Sequence, residues 1–326
     1  MSRHLGFFAR ACAVVLSLST LPVVCHAQTG FGVDGNNNLF RFDITAPGSI
    51  PTTSIGNVGF VPEGIDFRPG TNTLYAIDIG TTTTQLYTID INTAAATPVG
   101  LGFNTVDAGL GYNLGGNQRF GFDFNPSTLQ GDNSMRIRLV GTNGDNLRLN
   151  SSTGLVTAAD VDLAIAPSGS SPFVDAAAYI NNVPNAATFA TTLHDMDSRN
   201  DSLYTQNPPN NGTLNLVGTF GASVDASVGM GFDVYTVPTD ADPSTVGDSA
   251  YAVLQRPATN NGAYLLYQVD LASGTISNGK LVGPVGTPAD FTGGFSIAPL
   301  PIPEPGTLAM FAIGLAACAA KRRRTS

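Results

Sequence analysis

Short apolar runs separated by clusters of Gly, Asn, Asp, Thr and Pro recur from residue 28 to residue 300. Within these runs apolar and polar residues alternate, and no long stretch repeats with the helical period of 3.6 residues. Alternation over short runs bounded by turn-forming residues predicts β-strands. The pattern therefore predicts an all-β domain with almost no helix.

The predicted strands repeat as a larger unit, made of a hairpin and two further strands. The second strand of each hairpin aligns on a leucine, at Leu39, Leu86, Leu147, Leu203 and Leu266. Short runs opened by glycine or alanine precede all hairpins but the first, at 64–67, 121–124, 176–179 and 231–234. A repeat of this length is typical of a propeller blade with long loops.

One further run of this kind, residues 294–297, remains after the last hairpin, while the first hairpin, 32–43, has none before it. Pairing of these two segments would complete five blades of four strands. We therefore predict a five-bladed β-propeller, closed by pairing of the C-terminal strand with the N-terminal hairpin, because closure leaves no open sheet edge. A β-sandwich with irregular hairpins is the alternative.

The first 27 residues have the pattern of a secretory signal peptide. Arg3 and Arg10 supply positive charge, an apolar stretch follows, and small residues precede a cleavage site between Ala27 and Gln28. All three cysteines (Cys12, Cys25, Cys318) lie in the two terminal segments, so the exported domain is expected to fold without disulfides.

The C-terminal end combines three features in a fixed order. Pro303, Glu304 and Pro305 precede the uncharged stretch 307–320, and Arg322, Arg323 and Arg324 follow it after a lysine. At about 1.5 Å per residue a helix over 307–320 spans roughly 21 Å, less than the ~30 Å hydrocarbon core of a bilayer. It is expected to act as a short transmembrane anchor.

These features resemble the PEP-CTERM sorting signal of Gram-negative bacteria. The resemblance implies that a membrane-embedded exosortase recognises the tripeptide and removes the helix. The protein would then be exported across the inner membrane, held briefly at the membrane by this removable helix alone, and released to the cell surface or the extracellular matrix, often alongside exopolysaccharide. The expected organisation is a signal peptide at 1–27, a propeller-like domain at 28–299 and the sorting signal at 300–326.

A second resemblance covers roughly residues 30–298. The phrases GIDFRPGTNTLYAID, FGFDFNP, NLRLNSSTG and LVG are similar to those of an uncharacterised, propeller-like bacterial domain of unknown function. The resemblance supports the fold and implies no activity.

The net charge of the exported domain disfavours some classes of binding partner. Residues 28–302 contain nine basic and 23 acidic residues, a net charge of −14. Such a surface repels nucleic acid and anionic lipid. All but one of these acids are aspartates, whose short side chains favour turns.

Three aspartates are the candidate metal ligands. Asp66, Asp123 and Asp233 occupy the same place in three of the five glycine- or alanine-led strands, where the other two carry Ala178 and Ser296. If these strands line the central channel, the carboxylates converge and can hold Ca²⁺ or Mg²⁺ through oxygen. The structural interpretation is that each aspartate accepts a hydrogen bond from the backbone of its own or a neighbouring blade, repeating because the fold repeats.

Other signals for chemistry are weaker. The segment GFGVDG (30–35) matches a dinucleotide-binding pattern but leads into a polar turn instead of a helix, which favours a hairpin. His194 has Asp195 or Asp197 as a potential orienting partner, yet no G-x-S-x-G motif supplies a serine nucleophile. Residues 195–201 carry acids with part of the spacing of a calcium loop, on a predicted turn.

The leading hypothesis is a non-enzymatic exported propeller, a binding or matrix-structural module linked to exopolysaccharide or the cell envelope. No cofactor is expected, and calcium at the three aspartates is the alternative to their structural interpretation. The alternative is an extracellular aspartate-dependent hydrolase or lyase, assisted by calcium.

Overall fold

Strands account for nearly all regular structure in the computed structural model, which describes residues 28–47, 53–71, 73–127, 134–183, 191–224, 230–238, 246–255, 264–282 and 291–298. The signal peptide expected up to Ala27 and the sorting signal, with the helix predicted for it, lie outside these residues. No helix in the described part of the chain has the length and apolarity to cross a membrane.

All strands but two form five sheets, one for each blade, and the remaining two form a small separate sheet. Blade 1 contains β1 (Thr29–Asp34), β2 (Asn38–Asp43), β3 (Thr53–Asn57) and the last strand, β23 (Phe291–Ile297). Blade 2 contains β4 (Gly64–Phe67), β5 (Leu74–Ile79), β6 (Thr83–Ile89) and β7 (Ala96–Asn104). A small hairpin of β8 (Val106–Asp107) and β9 (Tyr112–Asn113) follows.

Blade 3 contains β10 (Phe120–Phe124), β11 (Arg136–Gly141), β12 (Asn146–Asn150) and β13 (Val156–Ala159). Blade 4 contains β15 (Val174–Tyr179), β16 (Leu193–Asp197), β17 (Ser202–Gln206) and β18 (Thr213–Thr219), with a 3-10 helix at Pro209–Asn211. Blade 5 contains β19 (Gly231–Pro238), β20 (Val246–Gln255), β21 (Tyr264–Val269) and β22 (Ile276–Leu281).

The two ends of the domain meet as predicted. Strand β23 pairs antiparallel with β1, with Phe31 opposite Ser296 and Gly30 opposite Ile297. The amide of Ala298 donates to the carbonyl of Thr29 at 2.9 Å, which extends the ladder by one bond. Because the inner strands β23, β4, β10, β15 and β19 contact one another in turn, the five sheets close into a ring. The five-bladed propeller is confirmed, and the β-sandwich alternative is wrong.

The hydrophobic core lies between the blades. The leucines that aligned the repeat (Leu39, Leu86, Leu147, Leu203 and Leu266) are all buried, at 3% exposure or less. Separate apolar clusters fill the spaces between neighbouring sheets. Each blade thus buries both faces against its two neighbours.

Blade 4 departs from the expected four strands. A fifth strand, β14 (Ala164–Ile165), pairs parallel with β18 at its outer edge. The added strand covers an edge that is open in the other blades, and two residues are too few for an alternating pattern to predict it.

Candidate functional site

Three aspartates from three inner strands lie together at the centre of the ring. Asp66 on β4, Asp123 on β10 and Asp233 on β19 each offer a carboxylate oxygen, and these oxygens lie within 4.8 Å of one another. All three side chains are buried, with at most 2% exposure. Ala178 on β15 and Ser296 on β23 occupy the equivalent positions of the other blades. The structure therefore brings the three candidate residues to one place.

Backbone amides of neighbouring blades donate to the side chains at these central positions. The four pairs, donor amide first, are Phe124 to Oδ2 of Asp66 (2.8 Å), Tyr179 to Oδ1 of Asp123 (3.2 Å), Ile297 to Oδ2 of Asp233 (2.6 Å) and Phe67 to Oγ of Ser296 (3.2 Å). In each pair the donor is the residue that comes directly after the central position in the sequence of the next blade. We refer to these four contacts as the central hydrogen-bond ring; they are the contacts that the structural interpretation predicts.

The central hydrogen-bond ring is interrupted at blade 4. Ala178 offers no side-chain acceptor to the amide of Val234, the residue after the central position of blade 5. That amide donates to Oδ1 of Asp233, its neighbour in sequence, at 2.6 Å. Asp233 therefore accepts both its own blade's amide and that of blade 1, which leaves no buried donor without a partner at the interruption.

The geometry around Ser296 requires a proton on one of the carboxyl groups. Its Oγ lies 2.9 Å from Oδ1 of Asp66 and 3.0 Å from Oδ2 of Asp233. A serine hydroxyl has a single hydrogen and donates to only one of them, so the other contact is a hydrogen bond only when that carboxyl group is protonated. Because Asp233 already accepts two backbone amides, its ionised form is the better stabilised, and we assign the proton to Asp66.

Electrostatics agrees with this assignment. Burial raises the pKa of all three carboxyl groups, and the charge of Asp233 raises the pKa of Asp66 further. For Asp233 the hydrogen bonds from Ile297, Ser296 and Val234 oppose the effect of burial, so its pKa rises only to about 6. The cluster thus retains protons at pH values where exposed aspartates are ionised.

The space at the end of the inner strands beside this cluster is nearly filled. Its volume is about 10 Å³, room for roughly one water molecule. Glycines allow the inner strands to approach, since a Cβ on Gly121 would lie 2.6 Å from Cβ of Ala177, and one on Gly231 would lie 2.3 Å from Cβ of Phe295. Among the described residues, this end of the ring leaves no room for a substrate.

The fit of the cluster to a divalent cation is mixed. The oxygen separations suit a metal, but calcium takes roughly six to eight oxygen ligands. The oxygens of Asp66 and Asp233 already accept backbone amides or contact Ser296. A cation there would displace hydrogen bonds that join the blades. Metal binding by Asp66, Asp123 and Asp233 stays a prediction.

His194 and Asp195 form no catalytic relay. Burial lowers the pKa of His194 to about 4, and its Nδ1 has no hydrogen-bond partner among the described residues. Asp195 lies on the opposite face of β16, where burial raises its pKa to about 8 although Arg138 lowers it. A histidine base needs a partner at the second ring nitrogen to orient it, so His194 is a packing residue.

Of the acids in residues 195–201, Asp197 stabilises the turn between β16 and β17, and Asp201 joins that turn to the segment after β18. Oδ1 of Asp197 accepts the amides of Arg199 and Asn200 at 3.0 and 2.9 Å, and Oδ1 of Asp201 accepts the amide of Val224 at 2.8 Å. Within the described part of the chain these acids form no group close enough to hold a cation. The turn interpretation is therefore the one that the contacts support.

The GFGVDG segment is a hairpin, as predicted. Residues 30–34 lie in β1, which pairs antiparallel with β2 after a three-residue turn. The segment leads into no helix, so the context of a dinucleotide site is lacking here.

Two residues at or near the centre escaped the sequence reasoning. The repeat aligned Ser296 with the aspartates but gave it no role, although a hydroxyl at a position that is acidic in three of the five blades was a usable signal. Arg138 lies directly opposite Asp123 in blade 3 and donates to Oδ2 of Asp160 at 2.7 Å. The sequence signal for Arg138 was a charged residue in the middle of an otherwise apolar strand segment, and the structure buries it.

Five sheets closed through one inner strand each define this protein as a five-bladed β-propeller. A family model described as a domain of unknown function, DUF4394, matches residues 38–293, and the chain belongs to that family. A PEP-CTERM protein-sorting motif matches residues 301–324. The motif indicates an exported, envelope-associated protein and implies processing by exosortase.

No curated protein matches the chain. Among solved structures, a candidate exo-β-1,3-galactanase from Bifidobacterium bifidum is similar at 11% identity and TM-score 0.42, over 69% of this chain and 72% of that one. A candidate 6-phosphogluconolactonase from Bacteroides fragilis is similar at 11% identity and TM-score 0.37, over 84% and 99%. The periplasmic gluconolactonase of Pseudomonas aeruginosa is similar at 13% identity and TM-score 0.33, over 83% of this chain and 98% of that one. Similarity at this level carries no argument about activity.

Proposed function

We propose that the exported domain is a non-enzymatic binding or matrix-structural module of the cell envelope, and that its partner is exopolysaccharide or another envelope component. The observation that carries this proposal is the use of the central carboxyl groups. They accept amides from neighbouring blades, and the space beside them at the end of the inner strands is only about 10 Å³. Acids committed to joining the blades are not free to act as general acid, base or metal ligand.

Supporting this proposal, the sorting motif at 301–324 would deliver the domain to the envelope. The acidic, cysteine-free domain would then act where it is released. Its closed ring of sheets suits a module that persists outside the cell, since the edges of its inner strands are enclosed and not available for aggregation.

One test separates binding from catalysis. The full chain is incubated with a panel of acidic and neutral polysaccharides, with calcium or with EDTA, and both retention and release of new chain ends are measured. The proposal predicts retention of at least one polysaccharide without release of ends. Release that Asp66→Asn abolishes would favour the alternative.

That alternative, an aspartate-dependent and calcium-assisted hydrolase or lyase, has one supporting observation, the approach of three carboxylate oxygens to within 4.8 Å. It predicts that calcium raises the unfolding midpoint and that Asp66→Asn removes this effect. The non-enzymatic proposal predicts the same midpoint in calcium and in EDTA.

Delivery is tested separately at the sorting tripeptide. Glu304→Gln is expected to leave the protein in the membrane fraction with its C-terminal segment intact, because exosortase is proposed to recognise Pro303, Glu304 and Pro305. Cell fractionation with intact-mass measurement checks this result, and substitution of the nearby Thr307 by serine serves as control. Normal processing of the Glu304 variant would contradict the proposed role of the tripeptide.

A further inference from the structure

A groove of about 410 Å³ lies between blade 5 and blade 1, away from the central cluster. Buried Ile44, which follows β2, and buried Leu266 on β21 supply its apolar lining. Its volume falls within the range of roughly 300–1,000 Å³ that is usual for ligand sites. The groove is therefore large enough to hold a short segment of a polymer.

Polar groups of three kinds line the rest of the groove. Lys280 on β22 donates from Nζ to the carbonyl of Thr45 at 3.1 Å, a contact that joins the two blades. An ammonium group has three N–H donors, so two remain for a ligand. Asn278 and Gln268 contact each other through Nδ2 and Oε1 at 3.4 Å, and both are exposed. Tyr251 adds a half-buried aromatic side chain.

Lys280 is the feature of the groove that indicates the charge of its ligand. The chain has only two lysines, Lys280 and Lys321, and the second lies in the C-terminal sorting segment. The single lysine of a strongly acidic domain thus lies in its groove. One ammonium among neutral amides suits a ligand with isolated carboxylates, whereas a nucleic acid would need several cations along its backbone.

We propose that this groove binds a carboxylated sugar chain, with the carboxylate on Lys280, hydroxyl groups on Asn278 and Gln268, and a sugar ring against Tyr251 and Leu266. Carboxamides both donate and accept, as sugar hydroxyls do. An aromatic side chain offers an apolar surface beside a polar tip. This inference rests on the proposed binding function and names its ligand class and its site.

The test is calorimetric titration of the full chain with a neutral oligosaccharide that carries a single glucuronate and with the methyl ester of the same oligosaccharide, in a detergent without a sugar headgroup. Lys280→Gln is expected to weaken binding of the acid about 10-fold or more, since a charge-assisted contact is lost. Asn278→Gly is expected to weaken it by a smaller factor without backbone strain, because Asn278 has a φ of 58°. Arg41→Gln is the charge-matched control; Arg41 lies on the other face of blade 1.

The expected result is binding of the acid, much weaker binding of the ester, and a change of no more than about 2-fold in the Arg41 variant. Equal affinity for acid and ester overturns the proposed carboxylate contact. Equal binding by wild type and the Lys280 variant overturns the groove while leaving the proposed binding function standing. Failure of the wild type to retain any polysaccharide of the panel counts against the binding function as well as the groove.

Discussion

Asp66 and Asp195 are both buried aspartates on blade strands, but the carboxyl group of Asp66 has hydrogen-bond partners and that of Asp195 has none among the described residues. Asp66 is 2% exposed and accepts the amide of Phe124 while contacting Ser296. Asp195 is fully buried, and neither of its carboxyl oxygens has a partner within the described residues. The difference arises because the repeat brings an amide to each central acid, whereas none of the described residues donates to Asp195 in the middle of β16.

The comparison teaches which buried acids stabilise the propeller. A partnered acid satisfies an amide that would otherwise be buried without an acceptor, so the central residues join one blade to the next. An unpartnered acid is costly unless it stays neutral. Burial accordingly holds the pKa of Asp195 at about 8. Asp66 is therefore expected to stabilise the fold, and Asp195 to destabilise it when ionised.

The largest effect is expected from Asp66→Ala, which leaves the amide of Phe124 buried without an acceptor. We expect a loss of about 2–3 kcal/mol in the free energy of unfolding. Asp66→Asn keeps an acceptor oxygen and resembles the protonated acid, so its loss is expected to be clearly smaller. Urea unfolding at neutral pH measures both. Equal losses in the two variants would show that the acceptor is not what matters.

A smaller and opposite effect is expected at Asp195. The unfolded residue ionises near pH 4, whereas the folded one stays protonated up to about pH 8. Because the folded state binds the extra proton, stability falls as pH rises between these values and levels off above them. Asp195→Asn removes this dependence and is expected to stabilise the protein by about 1–2 kcal/mol at pH 8.

Unfolding in urea at pH 4 and pH 8 checks the Asp195 prediction. At pH 4 wild type and variant are expected to differ less than at pH 8, because the folded acid is protonated and the unfolded acid is about half protonated. If Asp195→Asn is less stable than wild type at pH 8, the ionised carboxylate has a stabilising partner, which contradicts the account.

The smallest effect is expected from Ser296→Ala. The change removes one acceptor from Phe67 and makes blade 1 resemble blade 4, where Ala178 is already tolerated. We expect a loss of about 1 kcal/mol. The pKa of Asp233 is expected to rise further without the serine, since the hydrogen bond that Ser296 donates to it lowers that pKa. Carboxyl titration followed by NMR measures the shift, and a fall in the pKa would contradict it.

Local sequence patterns were enough to predict the features that recur in each blade. The spacing of Leu39, Leu86 and their counterparts, together with the surplus run 294–297, predicted five blades and the closing pair of strands. The column of Asp66, Asp123 and Asp233 predicted a common central position. Both followed because each blade places the same residue types at the same point of the pleat.

What depends on contact between blades was not predictable. The partners of a central acid lie on another blade, so their register follows from the packing of Gly121 and Gly231 and not from any one strand. The groove joins Thr45 to Lys280, which are 235 residues apart. The isolation of Asp195 is likewise a property of two packed faces; the sequence showed at that point only a turn whose acids have part of the spacing of a calcium loop.

Hydrogen exchange at the amides of Phe124, Tyr179 and Ile297 tests most directly whether the central acids join the blades. We expect all three to be protected as strongly as strand amides in the wild type, with no change on adding calcium. Asp66→Ala is expected to speed exchange at Phe124 most, and to affect Tyr179 and Ile297 less. Fast exchange at all three amides in the wild type, or protection that requires calcium, would contradict the account.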